Sequence, residues 1–402
     1  MIIGIIGGGA SGMAAAIAAS RGQNVQVIVF ERQARVGRKL LATGNGRCNL
    51  TNLNMLPQYY HGDSPDFAVD ALNRYPAGKV LSWFRELGLI TVAESGGRVY
   101  PYSDQANSVV DVLRFALKRP NIQIMTGFEV TKIRKSDAGF LVEGPQTVFC
   151  DKLIVACGGL AGTKLGGSMS GYKLLRSLGH RCTRLRPALV QIKSDWSGCV
   201  SLKGVRANCH AQILCDGVLH SQSVGELQFT EKGLSGPVIF EISRDVCQSR
   251  GDWSCRLDFL PDIDEKTLWE ALERRRSWDL TAEELLTGIL HNRLGRVLTA
   301  ASGISLQRKL GTLSEGELLD VCRVIKRLEV SLTEPLGMDS AQVTAGGIVT
   351  ADFDSMTMQS RLVPGLFACG EVLDIDGDCG GYNLQWAWSS GMLAGEAAGE
   401  VL

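Results

Sequence analysis

The sequence predicts an α/β protein in which a parallel sheet, assembled from both ends of the chain, is interrupted by a β-barrel-like domain with a helical subdomain. Three observations predict it. The chain opens on an apolar strand, a glycine turn and an alanine-rich helix, "IIGIIGGGASGMAAAIAASRG". Near its end come a short apolar strand, a second glycine turn and a small-residue helix, "GLFACGEVLDIDGDCGGYNLQWAWSSGMLAGEAAG". Between them the pattern shifts to alternating strands and charged amphipathic helices. The 402 residues leave room for two or three domains. The divisions read as 1–188 and 337–402 for the split domain and 189–336 for the insert.

The opening unit reads as a strand over 2–6, a turn, a helix from about 11 to 21, and a strand over 25–30. Gly7, Gly9 and Gly12 fill the three glycine positions of GxGxxG. Gly7 permits the tight turn out of the strand, Gly9 lets a pyrophosphate approach bare backbone, and Gly12 lets helix and sheet pack closely. Ala10 and Ser11 begin a helix whose free N–H groups and partial positive charge suit a diphosphate. Glu31, followed by Arg32, closes the second strand where a carboxylate grips an adenosine ribose diol. That acid disfavours a 2′-phosphate and leaves FAD and NAD as candidates.

The next stretch decides between them. Where a nicotinamide dehydrogenase continues with further strand–helix units, this chain has "VGRKLLATGNGRCNLTN". Gly44 and Gly46 permit close approach or positive φ. Arg38, Lys39 and Arg47 are cationic donors, and Thr43, Asn45 and Asn49 neutral ones. An extended ligand running past the diphosphate, as the ribitol and isoalloxazine of FAD do, uses that inventory. No second GxGxxG occurs, so NADH or NADPH is expected as an external electron donor.

A helix over 108–119, an antiparallel meander of 130–133, 140–142 and 147–150, and a parallel strand in "DKLIVACGG" complete the first part. Near the C-terminus a strand over 366–369 runs into Gly370 and Glu371, an acid placed to bind ribitol hydroxyls. The turn "GDCGGYNLQWAW" then starts a helix near Leu384, whose amides face the pyrimidine edge of a flavin, where negative charge collects on reduction. In the insert, 205–221 and 253–260 read as strands, and 266–276, 283–290 and 315–328 as helices.

With these motifs in view, the sequence resembles the BaiN-like family of FAD-binding flavoproteins, which includes aminoacetone oxidase and 3-dehydro-bile-acid reductases. The resemblance rests on the GxGxxG turn, "GRKLLATGNGRCNLTN", "GELQFTEKGLSGP", "VTAGGI" and "TMQSRLVPGLFACGEVLDIDGDCGGYNLQWAWSSG", which span nearly the whole chain. It implies a two-dinucleotide-binding, glutathione-reductase-like FAD domain with an inserted β-barrel-like domain and helical subdomain. It extends the cofactor contacts to Gly37, Cys48, Val130, Ala156, Cys157, Gly158, Gly381, Tyr382, Asn383 and Leu384. Two positions depart from the family pattern: Glu231 and Ser170 stand where many relatives have histidine and aspartate. The resemblance implies reduction of a carbon–carbon double bond conjugated to a ketone in a dehydro bile acid or steroid-like enone. Oxidation of a small amine such as aminoacetone is the alternative within the class, and a non-catalytic flavin-binding redox sensor or scaffold the alternative outside it. Tyr382 is the candidate proton donor and Cys48 the candidate nucleophile. Phe229, Leu234 and Pro237 are expected near the flavin or its substrate channel, with the insert roofing the ring.

Composition narrows the classes further. The 42 basic and 42 acidic side chains cancel, which is no electrostatic footprint for nucleic acid and argues against a tRNA-modifying flavoprotein. No apolar run reaches the ~18 residues of a membrane span, and "MIIGIIGGG" carries no signal-peptide pattern, so a cytoplasmic protein with a small-molecule substrate is expected. The 12 cysteines have irregular spacing without CxxC and read as reduced, buried side chains. The five histidines, His61, His180, His210, His220 and His291, never pair at metal-ligand spacing, so no metal is expected.

Overall fold

In a computed structural model the structure describes residues 1–249 and 251–400. The opening unit is strand β1 (Ile2–Ile6), helix α1 (Ala10–Ala19) and strand β2 (Gln26–Glu31). Strands β3 (Ile122–Thr126), β4 (Lys152–Val155) and β5 (Leu366–Ala368) follow from distant parts of the chain, and the last helix is α2 (Tyr382–Gly399). The five strands form one parallel sheet in the order β5-β4-β1-β2-β3. β1 reads as an unbroken apolar run, and β4 as one after Lys152, because both faces of such a sheet are covered. The strand order reverses between β1 and β4, and the crevice beyond their carboxyl ends is where open α/β sheets bind ligands.

Small residues bring α1 and α2 together. A Cβ on Gly391 would lie 2.4 Å from the Ser11 carbonyl oxygen, one on Gly395 2.3 Å from that of Ala15, and one on Gly399 2.9 Å from that of Ala19. The spacing of four puts these glycines on one face of α2, and the alanines of α1 complete the near contact of backbones. The expected meander is present as Lys132–Ser136, Gly139–Glu143 and Thr147–Cys150, paired antiparallel. Its first strand begins two residues after Val130.

The chain resolves into two compact units, Met1–Arg186 with Gln342–Leu402, and Pro187–Ala341. The second is built on a six-stranded sheet, with Ile192–Lys193 at one edge and Leu328–Leu332 at the other. The sheet curls until these edges meet: Thr333 N–H donates to the Lys193 carbonyl, and Lys193 N–H to that of Glu334. The result is a near-barrel.

Three expectations for the insert are corrected. The alternation over 205–221 is not one strand but parts of a hairpin, Arg206–Cys215 and Val218–Thr230. Asp216 and Gly217 both take positive φ at its turn, the Asp-Gly pairing such two-residue turns favour. Residues 283–290 do not form a helix. Only Ala282–Glu284 makes one 3-10 turn, fixed by reciprocal Thr281 and Glu284 capping bonds, and Gly288 at φ +80° turns the chain away. Helices Pro237–Gln248 and Asn292–Ala301 form instead. Finally, Phe229 and Leu234 are fully buried in the insert's own core, the Phe229 ring packing on Trp196 and Phe259. They are not channel walls.

Candidate flavin site

The glycine turn after β1 divides its labour as the spacing predicts. Gly7 has φ +107°, and a Cβ there would lie 2.4 Å from the Ala156 carbonyl oxygen. A Cβ on Gly12 would lie 1.9 Å from the Gly7 carbonyl oxygen, so any side chain there would lift α1 off β1. Gly9 differs: a Cβ on it meets nothing within 4 Å, and the same holds for Gly158 beyond β4. Two bare backbone segments thus flank open space at the point where the strand order reverses. Gly9 is the N-cap of α1, with no side-chain cap and no acid in the first turn. This leaves backbone donors and dipole for an anion. Glu31 is buried at the edge of this space, its Oε2 accepting from Gly8 N–H at 2.8 Å and its Oε1 from Gln33 N–H at 2.7 Å. Arg32 donates to the Gly166 carbonyl at 2.5 Å.

The stretch that follows is a knot of left-handed backbone. Gly44, Asn45, Gly46 and Cys48 all have positive φ, and Thr43 closes the first turn by donating to the Leu40 carbonyl. Its cations do not all serve one ligand. Lys39 Nζ meets Glu371 Oε2 at 2.9 Å, joining the two cofactor-assigned segments. Arg38 donates to Gln33 Oε1. The Arg47 guanidinium pairs with Asp104 and Glu94 and lies over the Tyr100 ring at 4.0 Å. Asn49 keeps a buried Oδ1 with no hydrogen-bond partner, beside Gly381.

Glu371 follows β5 as expected and is held from two sides, since its Oε1 accepts from Thr344 N–H at 2.9 Å. Thr344 Oγ1 in turn accepts from Leu160 and Ala161 N–H. Gly370, at φ +75°, donates to Ser390 Oγ and leaves room for Ser11. α2 begins two residues before Leu384, at Tyr382. Its N-cap is Gly381 at φ +104°, with no side-chain cap. Asn383 does not reach outward. Its side chain accepts from Gly377 N–H and donates to the Gly377 and Asp378 carbonyls, fixing the turn.

Both catalytic candidates have other work. Cys48 is fully buried, and burial pushes its thiol up to about 12, so the nucleophilic thiolate is absent near neutral pH. Cys157 is likewise pushed up to about 12 by burial. Tyr382 is buried, packs its ring at a tilt against Tyr59 with centroids 4.7 Å apart and donates its hydroxyl hydrogen to the Asn54 carbonyl at 3.3 Å. A pair that the sequence left scattered does form: His61 Nε2 lies 2.6 Å from Asp378 Oδ1. No local pattern announces it, because the partners are 317 positions apart. Among the described residues no group of three or more His, Cys, Asp or Glu is placed to hold a metal ion. No described helix is long and apolar enough to cross a membrane.

The open glycine cradle, the uncapped helix start, the ribose-side carboxylate and the orphaned Asn49 oxygen together fit FAD. They define a flavin-binding protein of the Rossmann class. Residues 1–397 match the model for the HI0933-like protein Rossmann domain, and the chain belongs to that family. It is 40% identical over 405 residues to the 3-dehydro-bile acid delta(4,6)-reductase of Clostridium scindens, with 99% of each chain covered. It is 31% identical over 391 residues to a ribosomal RNA dihydrouridine synthase of Escherichia coli, covering 96% of this chain and 95% of the relative. A Haemophilus influenzae protein of that same name is 30% identical over 397 residues, with the same coverage. The protein is an FAD-dependent oxidoreductase.

Proposed function

We propose that the protein reduces a carbon–carbon double bond conjugated to a carbonyl, with a dehydro bile acid or a steroid-like enone as substrate. The observation that carries this reading is the full-length 40% identity to a 3-dehydro-bile acid delta(4,6)-reductase. Bound FAD supplies the hydride chemistry, and NADH or NADPH is the proposed external donor. Gly9, Ala10 and Ser11 at the α1 start hold the diphosphate, and Glu31 the adenosine ribose. Lys39 and Glu371 hold the ribitol side, and the α2 start at Gly381–Leu384 the pyrimidine edge.

A second reading comes from the two relatives named for dihydrouridine synthesis. The double bond of uracil is also conjugated to a carbonyl, so the chemistry is shared and only the substrate differs. The insert carries more acidic than basic side chains, which disfavours a polyanion there. Anaerobic mixing of the reduced holoprotein with a 4,6-dien-3-one steroid or with ribosomal RNA, followed by flavin reoxidation at ~450 nm, and of the oxidised holoprotein with aminoacetone, followed by bleaching at the same wavelength, separates the readings. Flavin reoxidation by the steroid alone is the expected outcome; reoxidation by RNA alone overturns it.

A further inference from the structure

Reduction of an enone needs a proton as well as a hydride, and neither Tyr382 nor Cys48 is free to give one. We infer that His61, positioned by Asp378, supplies that proton; the inference rests on the enone reading above. The placement comes from the turn that starts α2. Tyr60–His61 pairs antiparallel with Asp376–Gly377, His61 opposite Asp376. Asp378 N–H donates to the Tyr59 carbonyl at 3.0 Å, Asn383 Nδ2 donates to the Asp378 carbonyl, and the Tyr60 hydroxyl donates to the Tyr382 carbonyl at 3.2 Å. The pair is therefore bonded to the segment assigned to the flavin pyrimidine edge.

Accessibility separates this pair from the other histidine of the flavin domain. The His61 and Asp378 side chains are 30% and 32% exposed, so the pair is open to solvent. His180 is sealed in the core against Phe353 and Ser360. A carboxylate on one ring nitrogen fixes the orientation of an imidazole. The charged groups on adjoining elements are mostly of the same sign as Asp378. Asp376 faces His61 across the ladder, Asp63 donates its N–H to Asp374 Oδ2, and Arg98 flanks Gly380.

The step balances. The carbon–carbon π bond of the enone breaks, and a C–H bond forms at the β-carbon from the hydride of reduced FAD. A second C–H bond forms at the α-carbon from the His61 proton. The substrate gains two electrons, which a nicotinamide-class donor restores to the flavin, and solvent reprotonates His61.

The test uses the holoprotein, reduced with dithionite and mixed anaerobically with a 4,6-dien-3-one steroid. His61→Gln is expected to keep its FAD content and absorbance spectrum while reoxidation slows on the order of 10²-fold, the scale of general acid catalysis. The unaltered protein is expected to slow as pH rises; in His61→Gln that fall disappears. Asp378→Asn is expected to slow the reaction less than His61→Gln does and to keep its FAD content. If the steroid never reoxidises the unaltered protein, the enone reading fails and the inference with it. A reactive protein whose His61→Gln variant keeps rate and pH profile overturns the inference alone. Loss of FAD in both variants also overturns it, because the pair is then structural.

Discussion

The turn after β1 and the stretch 40–52 are both rich in glycine and use it for different ends. In the turn, Gly7 and Gly12 are needed for the volume they lack, since a Cβ at either would collide with a carbonyl oxygen. In the stretch, glycine is needed for its dihedrals. Gly46 has φ +86°, yet its nearest neighbour to a built Cβ is 4.0 Å away. Asn45 and Cys48 hold positive φ without being glycine at all. A packing glycine therefore admits no side chain, whereas a conformational one admits any residue at a cost of about 1–2 kcal/mol.

Gly12→Val gives the largest effect. The side chain has nowhere to go, so we expect more than about 3 kcal/mol of destabilisation, seen as a collapsed thermal transition together with lost flavin absorbance. Gly9→Val sharpens the contrast because its site is open: the melt should hold within about 1 kcal/mol while FAD content collapses. Equal loss of stability and flavin in Gly9→Val would show that this glycine is packed after all. Glu31→Ala removes the acceptor for two backbone N–H groups and the proposed ribose contact. Fluorescence titration should show FAD binding weakened by roughly 1–3 kcal/mol. Gly46→Ala should cost only about 1 kcal/mol in a thermal melt with FAD content unchanged; a loss as large as that of Gly12→Val would erase the distinction. The smallest effect concerns Cys48. Its thiol becomes thiolate only as pH approaches about 12, so iodoacetamide at neutral pH should leave it unmodified by mass spectrometry, and labelling in the native protein would contradict its burial.

What was legible follows the same division. Gly7, Gly9, Gly12 and Glu31 are readable because their constraints lie within one βαβ unit, where spacing alone decides who meets whom. Arg47 and Lys39 are not, because their anionic partners come from elsewhere. Glu94 and Asp104 are 47 and 57 positions from Arg47, and Glu371 is 332 from Lys39. A cation in a motif announces a need for an anion without saying whether ligand or protein supplies it. Phe229 shows the apolar version: its side chain signals burial, while the choice between core and channel depends on Trp196 and Phe259. The hairpin turn at Asp216 was visible as Asp-Gly, but alternation continues through it and masks the reversal.

The seating of α2 on α1 bears on the order in which the molecule is made. Ser11 and the Cys369 carbonyl, bonded across the cradle, are 358 positions apart, and the glycines that clasp α1 lie later still. A ribosome delivers the diphosphate turn first and its clasp last. During most of synthesis the buried face of α1 lacks its cover, a surface for chaperones to guard. Lesions in Gly391, Gly395 or Gly399 should accordingly be felt as failed maturation before they are felt as altered chemistry.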